Sequence, residues 1–228
     1  MEAFSQWFSQ LEWGKLIEMV ISAAACLFCI VLHELCHGLA ALLMGDDTAR
    51  RSGRLTLNPL KHIDWVGLVL LFTVRFGWAK PVPVNMRKFR RPKLGMALTA
   101  LAGPFGNFLL ALLLTSGYAA ALVWYQSCGS MAVYYLAVFL LTTATISIGL
   151  MVFNLLPIPP LDGSKVLFSI LPTRWYGKLM RYERFGAVIL VLLLYLGVLN
   201  VPLSFLRNGV QQFIFTVAGE PVIRLLIG

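Results

Sequence analysis

Long apolar runs, rather than alternation, dominate the chain. The run from Met19 to Leu32 continues apolar, apart from His33, Glu34 and His37, to Met44. Further runs cover Met96 to Trp124, Met131 to Leu156 and Phe185 to Val201. Each approaches or exceeds the roughly 20 residues that a helix needs to cross about 30 Å of hydrocarbon. The pattern therefore predicts spans at about 16–44, 94–124, 131–156 and 185–203. Two shorter runs, Val210 to Ala218 and Val222 to Ile227, are separated by Gly219, Glu220 and Pro221. They predict an interfacial segment, or a further broken span, over 209–227. The expected architecture is an all-α polytopic membrane protein with four to six transmembrane helices, forming one membrane-embedded domain over residues 1–228.

The connection from Gly45 to Lys93 has a different texture. RLTLNPLKHIDWVG and WAKPVPVN hold short β-compatible runs punctuated by Pro and Gly. Trp65 to Phe76 lies between them, apolar but too short to cross. A short β-containing, re-entrant or interfacial segment is expected here, because irregular backbone at membrane depth needs protein or a watery cavity to cover it. An edge strand from this region would be able to hold an extended peptide by strand addition.

Composition strengthens the membrane reading. Hydrophobic residues make up 59% of the chain and charged residues only 13%, against about 25% charged in soluble domains. The net charge of +9 suggests a nucleic-acid partner until the charges are placed. Of 19 Lys and Arg, 11 fall between the first and second predicted spans and five, from Lys165 to Arg184, between the third and fourth. The stretch Tyr125 to Ser130 has none. That asymmetry places both basic loops in the cytoplasm and the N-terminus outside. RKFRRPK at 87–93 should meet anionic headgroups, and no nucleic-acid partner is expected, since no binding motif accompanies the charge. The N-terminus has no basic lead-in or small-residue cleavage site, so no signal peptide is expected. Phe4, Trp7, Phe8, Leu11 and Trp13 suit either an amphipathic stretch at headgroup level or a poorly ordered tail. Cys26 and Cys29 form a CxxC inside the first apolar run. There they read as small packing residues rather than a redox or metal pair, and no disulfide framework is predicted.

Candidate chemistry lies inside the first span, in VLHELCHGLA. His33 and His37 are four apart and project from one helix face. Two imidazoles so spaced can bind one Zn²⁺, with Glu34 reaching a water as general base. Ionisable groups at that depth are costly and default to function. A catalytic zinc usually keeps three protein ligands. Asp162, in NLLPIPPLDGSK at the end of the third run, is the leading third ligand, and His62 is the runner-up. The first and third spans run in one direction, so their C-terminal portions meet at one depth. Pro157, Pro159 and Pro160 break the helix before Asp162, and Gly163 permits a tight bend. One rival is a non-hydrolytic zinc transporter or scaffold, which needs the ligands but not Glu34. Another is a zinc protease with a glutamate ligand on a later helix, for which Glu183 is the one candidate.

HELCHG followed by NLLPIPPLDG resembles the site-2 proteases, whose motifs are HExxH and an LDG-type segment. NPLKHIDWVG, GWAKPVPVN and AGPFGN resemble stretches of small bacterial members, so the likeness runs over about residues 28–170. The resemblance implies one Zn²⁺ held by His33, His37 and Asp162, with Glu34 activating water. It also implies a substrate-positioning or polarising role for Asn154, eight residues before the aspartate. Asn107, in GPFGN, invites a similar substrate-positioning role, although Gly103 and Gly106 beside it suit close helix packing. The implied activity is intramembrane proteolysis of a single-span membrane protein in the bilayer of a bacterial cell membrane. Over these 228 residues no PDZ domain and no nucleotide-sensing tail is expected.

Overall fold

The computed structural model describes residues 13–65, 67, 80–172 and 183–227. It contains α1 (Trp13–Leu43), α2 (Thr48–Arg51), α3 (Pro92–Cys128), α4 (Met131–Asn154), α5 (Asp162–Ile170), α6 (Glu183–Tyr195) and α7 (Asn200–Ile227). A π turn at Phe215–Gly219 interrupts α7, and short 3₁₀ turns occur at Pro59–Lys61 and Met86–Lys88. Among the described residues four helices are long and apolar enough to cross a membrane: α1 from Gly14, α3, α4 and α7.

Local chemistry sets the helix ends. Gly45 takes φ +104° after α1. Its N–H bonds to Leu42 C=O and that of Asp46 to Ala41 C=O, a Schellman termination that satisfies carbonyls left over by the helix. Pro92 opens α3, where its missing N–H costs nothing. Gly129 at φ +61° closes it. α3 is the central helix, packed against α1, α4, α5 and α7. Small buried residues (Gly95, Ala100, Gly103, Gly106, Ala111) let its backbone approach its neighbours. Ala111, Ile148, Met151, Val152 and Ile214 form one core where α3, α4 and α7 meet.

The last predicted span is misplaced. The apolar run 185–203 is cut by Gly197 at φ +70°. The N–H groups of Gly197 and Val198 bond to Leu194 and Leu193 carbonyls, ending α6 in another Schellman motif. At 13 residues α6 is about 20 Å long, too short to cross. Its Leu190 packs with Leu161 and Leu199 instead. The fourth long helix is α7, which absorbs the segment predicted at 209–227. Pro221 does not break it: the preceding π turn already carries Glu220 N–H to Phe215 C=O, so the helix has shifted register where the proline lacks a donor.

The β-containing segment between the first two spans is also not borne out. The described parts of this connection are α2, two 3₁₀ turns and irregular backbone; among the described residues there is no strand beyond a lone bridge position at Ile63. Side chains hold this connection together. Arg54, buried, donates to the carbonyls of Lys61, Lys80 (2.5 Å) and Pro81 (3.2 Å). Asp46, fully buried, accepts from the N–H of Thr48 (3.0 Å), the Thr48 hydroxyl and the N–H of Asn85 (2.5 Å). Prolines explain why: Pro81 and Pro83 have no N–H, so this stretch cannot make a ladder. The re-entrant reading of Trp65 to Phe76 falls mostly outside the described residues, as does the N-terminal stretch before Trp13. The four cysteines are free thiols, and Cys29 is buried, with its Sγ 3.4 Å from Thr143 C=O.

Candidate metal centre

α1 carries His33 and His37 one turn apart, and α5 begins at Asp162. All three are buried, at 6%, 8% and 7% exposure. Asp162 Oδ2 lies 3.2 Å from His33 Nε2 and 3.0 Å from His37 Nε2, and the two Nε2 atoms are 3.0 Å apart. Asp162 Oδ1 turns away to Lys165 Nζ at 3.4 Å. α5 reaches this position by packing its first turn under the end of α4. A Cβ on Gly163 would overlap the Leu155 carbonyl and come within 2.6 Å of Leu156 O. Gly163 is therefore required by close approach; its φ is not in the left-handed region.

A similar constraint acts on α3. A Cβ on Gly103 would overlap His37 Nε2 and lie 2.7 Å from His33 Cε1. One on Gly106 would overlap Cys36 Sγ. The small residues of GPFGN thus make room for the histidine face of α1.

Hydrogen bonding behind the rings bears on what sits between them. His37 Nδ1 is 2.7 Å from Thr99 C=O, which can only accept, so Nδ1 carries a proton. In the neutral ring Nε2 then presents a lone pair to Asp162 Oδ2 at 3.0 Å. Two lone pairs at that separation repel unless a cation lies between them. Three ligand atoms, all within 4.8 Å of one another, offer a cation two nitrogens and a carboxylate oxygen and leave a further position open. This donor set fits Zn²⁺.

Glu34 is half-buried beside this group. Its Oε2 accepts from the N–H of Val82 at 2.8 Å. Flanked by two prolines, Val82 is the one residue of 81–83 with a backbone donor, and that donor is spent on Glu34. Asn107, fully buried on α3, places its amide 3.2 Å from His33 Nδ1. Asn154 donates to Leu150 C=O at 2.9 Å, within its own helix. His62 stands apart from the metal group: its ring bonds to Thr56 C=O at 2.9 Å and its carbonyl accepts from Lys80 N–H. The Glu183 side chain lies outside the described residues. Thr99 and Val82 had no signal in the sequence, because each acts through a long-range backbone contact, whereas Lys165 lies at i+3 from Asp162, a helical spacing that LDGSK does carry.

The helices and this site define a multi-pass membrane metalloprotein with two histidines and a carboxylate at its centre. Residues 118–198 match the model of Peptidase family M50. YwhC of Bacillus subtilis, provisionally named a zinc metalloprotease, is 38% identical over 168 residues, covering 71% of this chain and 74% of that protein. Rip2 of Mycolicibacterium smegmatis, similarly named, is 30% identical over 217 residues, covering 88% and 79%. Rip2 of Mycobacterium tuberculosis is 32% identical over 200 residues, covering 83% and 71%. No solved structure matches the chain. The chain belongs to peptidase family M50, the site-2 proteases, and is a zinc metalloprotease. That membership sets aside the non-hydrolytic transporter or scaffold.

Proposed function

We propose that this chain is an intramembrane endopeptidase that hydrolyses a peptide bond in or beside a membrane-spanning segment, and so acts in regulated intramembrane proteolysis. The convergence of His33, His37 and Asp162 beside Glu34, among helices long enough to cross a bilayer, carries this reading. One zinc per chain is held by those three residues. When bound, Zn²⁺ supplies Lewis acidity, which polarises a carbonyl and makes water a stronger acid. Glu34 takes the proton of the attacking water and passes it to the leaving amine. Water is thereby added across the C–N bond: hydroxyl ends on the acyl carbon and hydrogen on the nitrogen. The Val82 N–H holds the Glu34 carboxylate in place, and Asn154 at the end of α4 is a candidate substrate contact.

The substrate is a single-span membrane protein whose helix must unwind locally, because a helix hides its amides in its own hydrogen bonds. The basic residues of 50–93 and 165–184 support a cytoplasmic side for those loops, and the bacterial relatives support a bacterial cell membrane. The test is reconstitution of the purified protein in liposomes with a panel of single-span peptides, wild type beside Glu34→Gln. Wild type should cut within a span, and Glu34→Gln should keep its zinc and lose ~10²–10⁴-fold in rate. Equal cutting by both would sink the role of Glu34.

A further inference from the structure

Asn107 is fully buried, yet its amide is only half used. Its Nδ2 stands 3.2 Å from His33 Nδ1, while its Oδ1 has no hydrogen-bond partner. A buried carbonyl oxygen left alone is costly. With this amide orientation, moreover, His33 Nδ1 must accept, which puts the ring proton on Nε2. Nε2 is the atom that faces Asp162 Oδ2 and His37 Nε2, so a proton there blocks it as a ligand. The two ends of an asparagine amide have the same shape and are assigned by their partners. Exchanging them leaves one end of the amide without a partner either way, the nitrogen in place of the oxygen, but it removes the conflict at His33 Nε2. Oδ1 then accepts from His33 Nδ1–H, and the Nε2 lone pair faces the metal position.

We propose that Asn107 is a positioning residue for the metal centre: its amide oxygen accepts the Nδ1 proton of His33 and so fixes the tautomer and ring plane in which Nε2 can bind zinc. Asn107 thus does for His33 what the Thr99 carbonyl does for His37. Outer partners of this kind set ligand orientation and basicity. Asn107 is itself held: its own carbonyl accepts from the Ser147 hydroxyl at 2.8 Å, tying α3 to α4. Its role is therefore structural support of a ligand rather than contact with substrate. The inference rests on the proposed His33–His37–Asp162 zinc site.

The test uses the full chain in detergent, with zinc content by metal analysis and zinc affinity by competition with a chelator. Asn107→Leu keeps the volume and removes the acceptor; Asn107→Asp keeps an acceptor oxygen. Asn107→Leu should bind zinc about 10–100-fold more weakly, and Asn107→Asp should bind within a few fold of wild type. A packing role would not sort the variants this way, since a buried carboxylate packs worse than leucine. Leucine binding as tightly as wild type would overturn the proposal. Aspartate losing zinc as leucine does would also overturn it, by showing that the amide nitrogen is what His33 needs. Wild type that binds no zinc, or binds it unchanged in His33→Ala, would instead overturn the zinc site itself.

Discussion

The helices around the metal centre and the helices after it are both apolar, but they are built differently. α1, α3 and α4 touch through small residues and specific polar contacts: Gly103 under two imidazoles, Asn107 to His33 and Ser147, Thr99 to His37. α6 and α7 touch the rest largely through apolar side chains, as at Leu190 and Ile214, with the Ser116 hydroxyl donating to Ala218 C=O at 3.2 Å between α3 and α7. Many of their large side chains face outward, Val188, Tyr195, Val201 and Phe205 among them. In the first region the packing is tight, so that a methyl group added at Gly103 would overlap His37 and crowd His33. In the second, the outward-facing side chains can exchange for other apolar residues at little cost, whereas buried Leu190 and Ile214 belong to packed cores. The membrane supplies the second region's environment, whereas the first must make its own.

Gly103→Ala should break the first region most severely. Its Cβ would meet His33 and His37 at once. Overpacking costs about 1–3 kcal/mol; if it falls on the ligands, zinc affinity drops about 5–150-fold, and cleavage with it. Chelator competition would check this, and unchanged affinity would show that the ring positions are softer than the packing implies. Val82→Pro comes next. It removes the one N–H that Glu34 accepts, in a stretch already flanked by prolines. A hydrogen bond to a charged group is worth about 1.5–3 kcal/mol, so cleavage should slow about 10–100-fold with zinc content intact. Loss of zinc in this variant would place Val82 in the metal site's support rather than the base's.

What was legible in the sequence follows the same division. HELCH and LDG could be read directly, since ionisable side chains at ligand spacing in an apolar run are too costly to keep there without a cation to bind. Their meeting also followed from parallel spans. What failed were α6 and α7, because counting apolar residues cannot see that Gly197 ends a helix, nor that a π turn lets a helix pass Pro221. PVPVN looked strand-like from its valines, but its prolines deny it a ladder, and Arg54 and Asp46 satisfy the backbone through side chains instead. Asn107 was legible as part of GPFGN, with a substrate-positioning role as one reading, but its contact with His33, 74 residues away, is carried by no spacing in the sequence.

Asp46→Asn gives a smaller effect and tests whether the connecting loop belongs to the rigid region. Burial raises the carboxyl's pKa, but the Thr48 hydroxyl, the amides of Asn85 and Thr48, and Lys88 outweigh it and hold it below the ordinary value. A depressed carboxyl contributes stability that is present above its unfolded pKa of about 3.9 and is lost as pH falls through its lower folded value. The asparagine should cost about 1–3 kcal/mol near neutrality. Its thermal midpoint should therefore differ from wild type at pH 7, and the gap should narrow as pH falls below about 4. A gap independent of pH would mean that the charge of Asp46 is not what holds Asn85.

The smallest effect belongs to the C-terminal region and is the sharpest control on the comparison. Glu220 and Arg224 lie one turn apart on α7 with Oε2 and Nη2 3.1 Å apart, both exposed. Where a pair of this spacing faces water it contributes about 0.3–0.5 kcal/mol. Glu220→Gln keeps the shape and a hydrogen-bond acceptor for the arginine, so it should shift stability by no more than that and leave zinc affinity and cleavage unchanged. If instead zinc or cleavage fell severalfold, α7 would be coupled to the metal centre through Ile214 and the core it shares with Ile148 and Met151. The contrast between a self-determined centre and a lipid-supported periphery would then fail at the helix where the two regions touch.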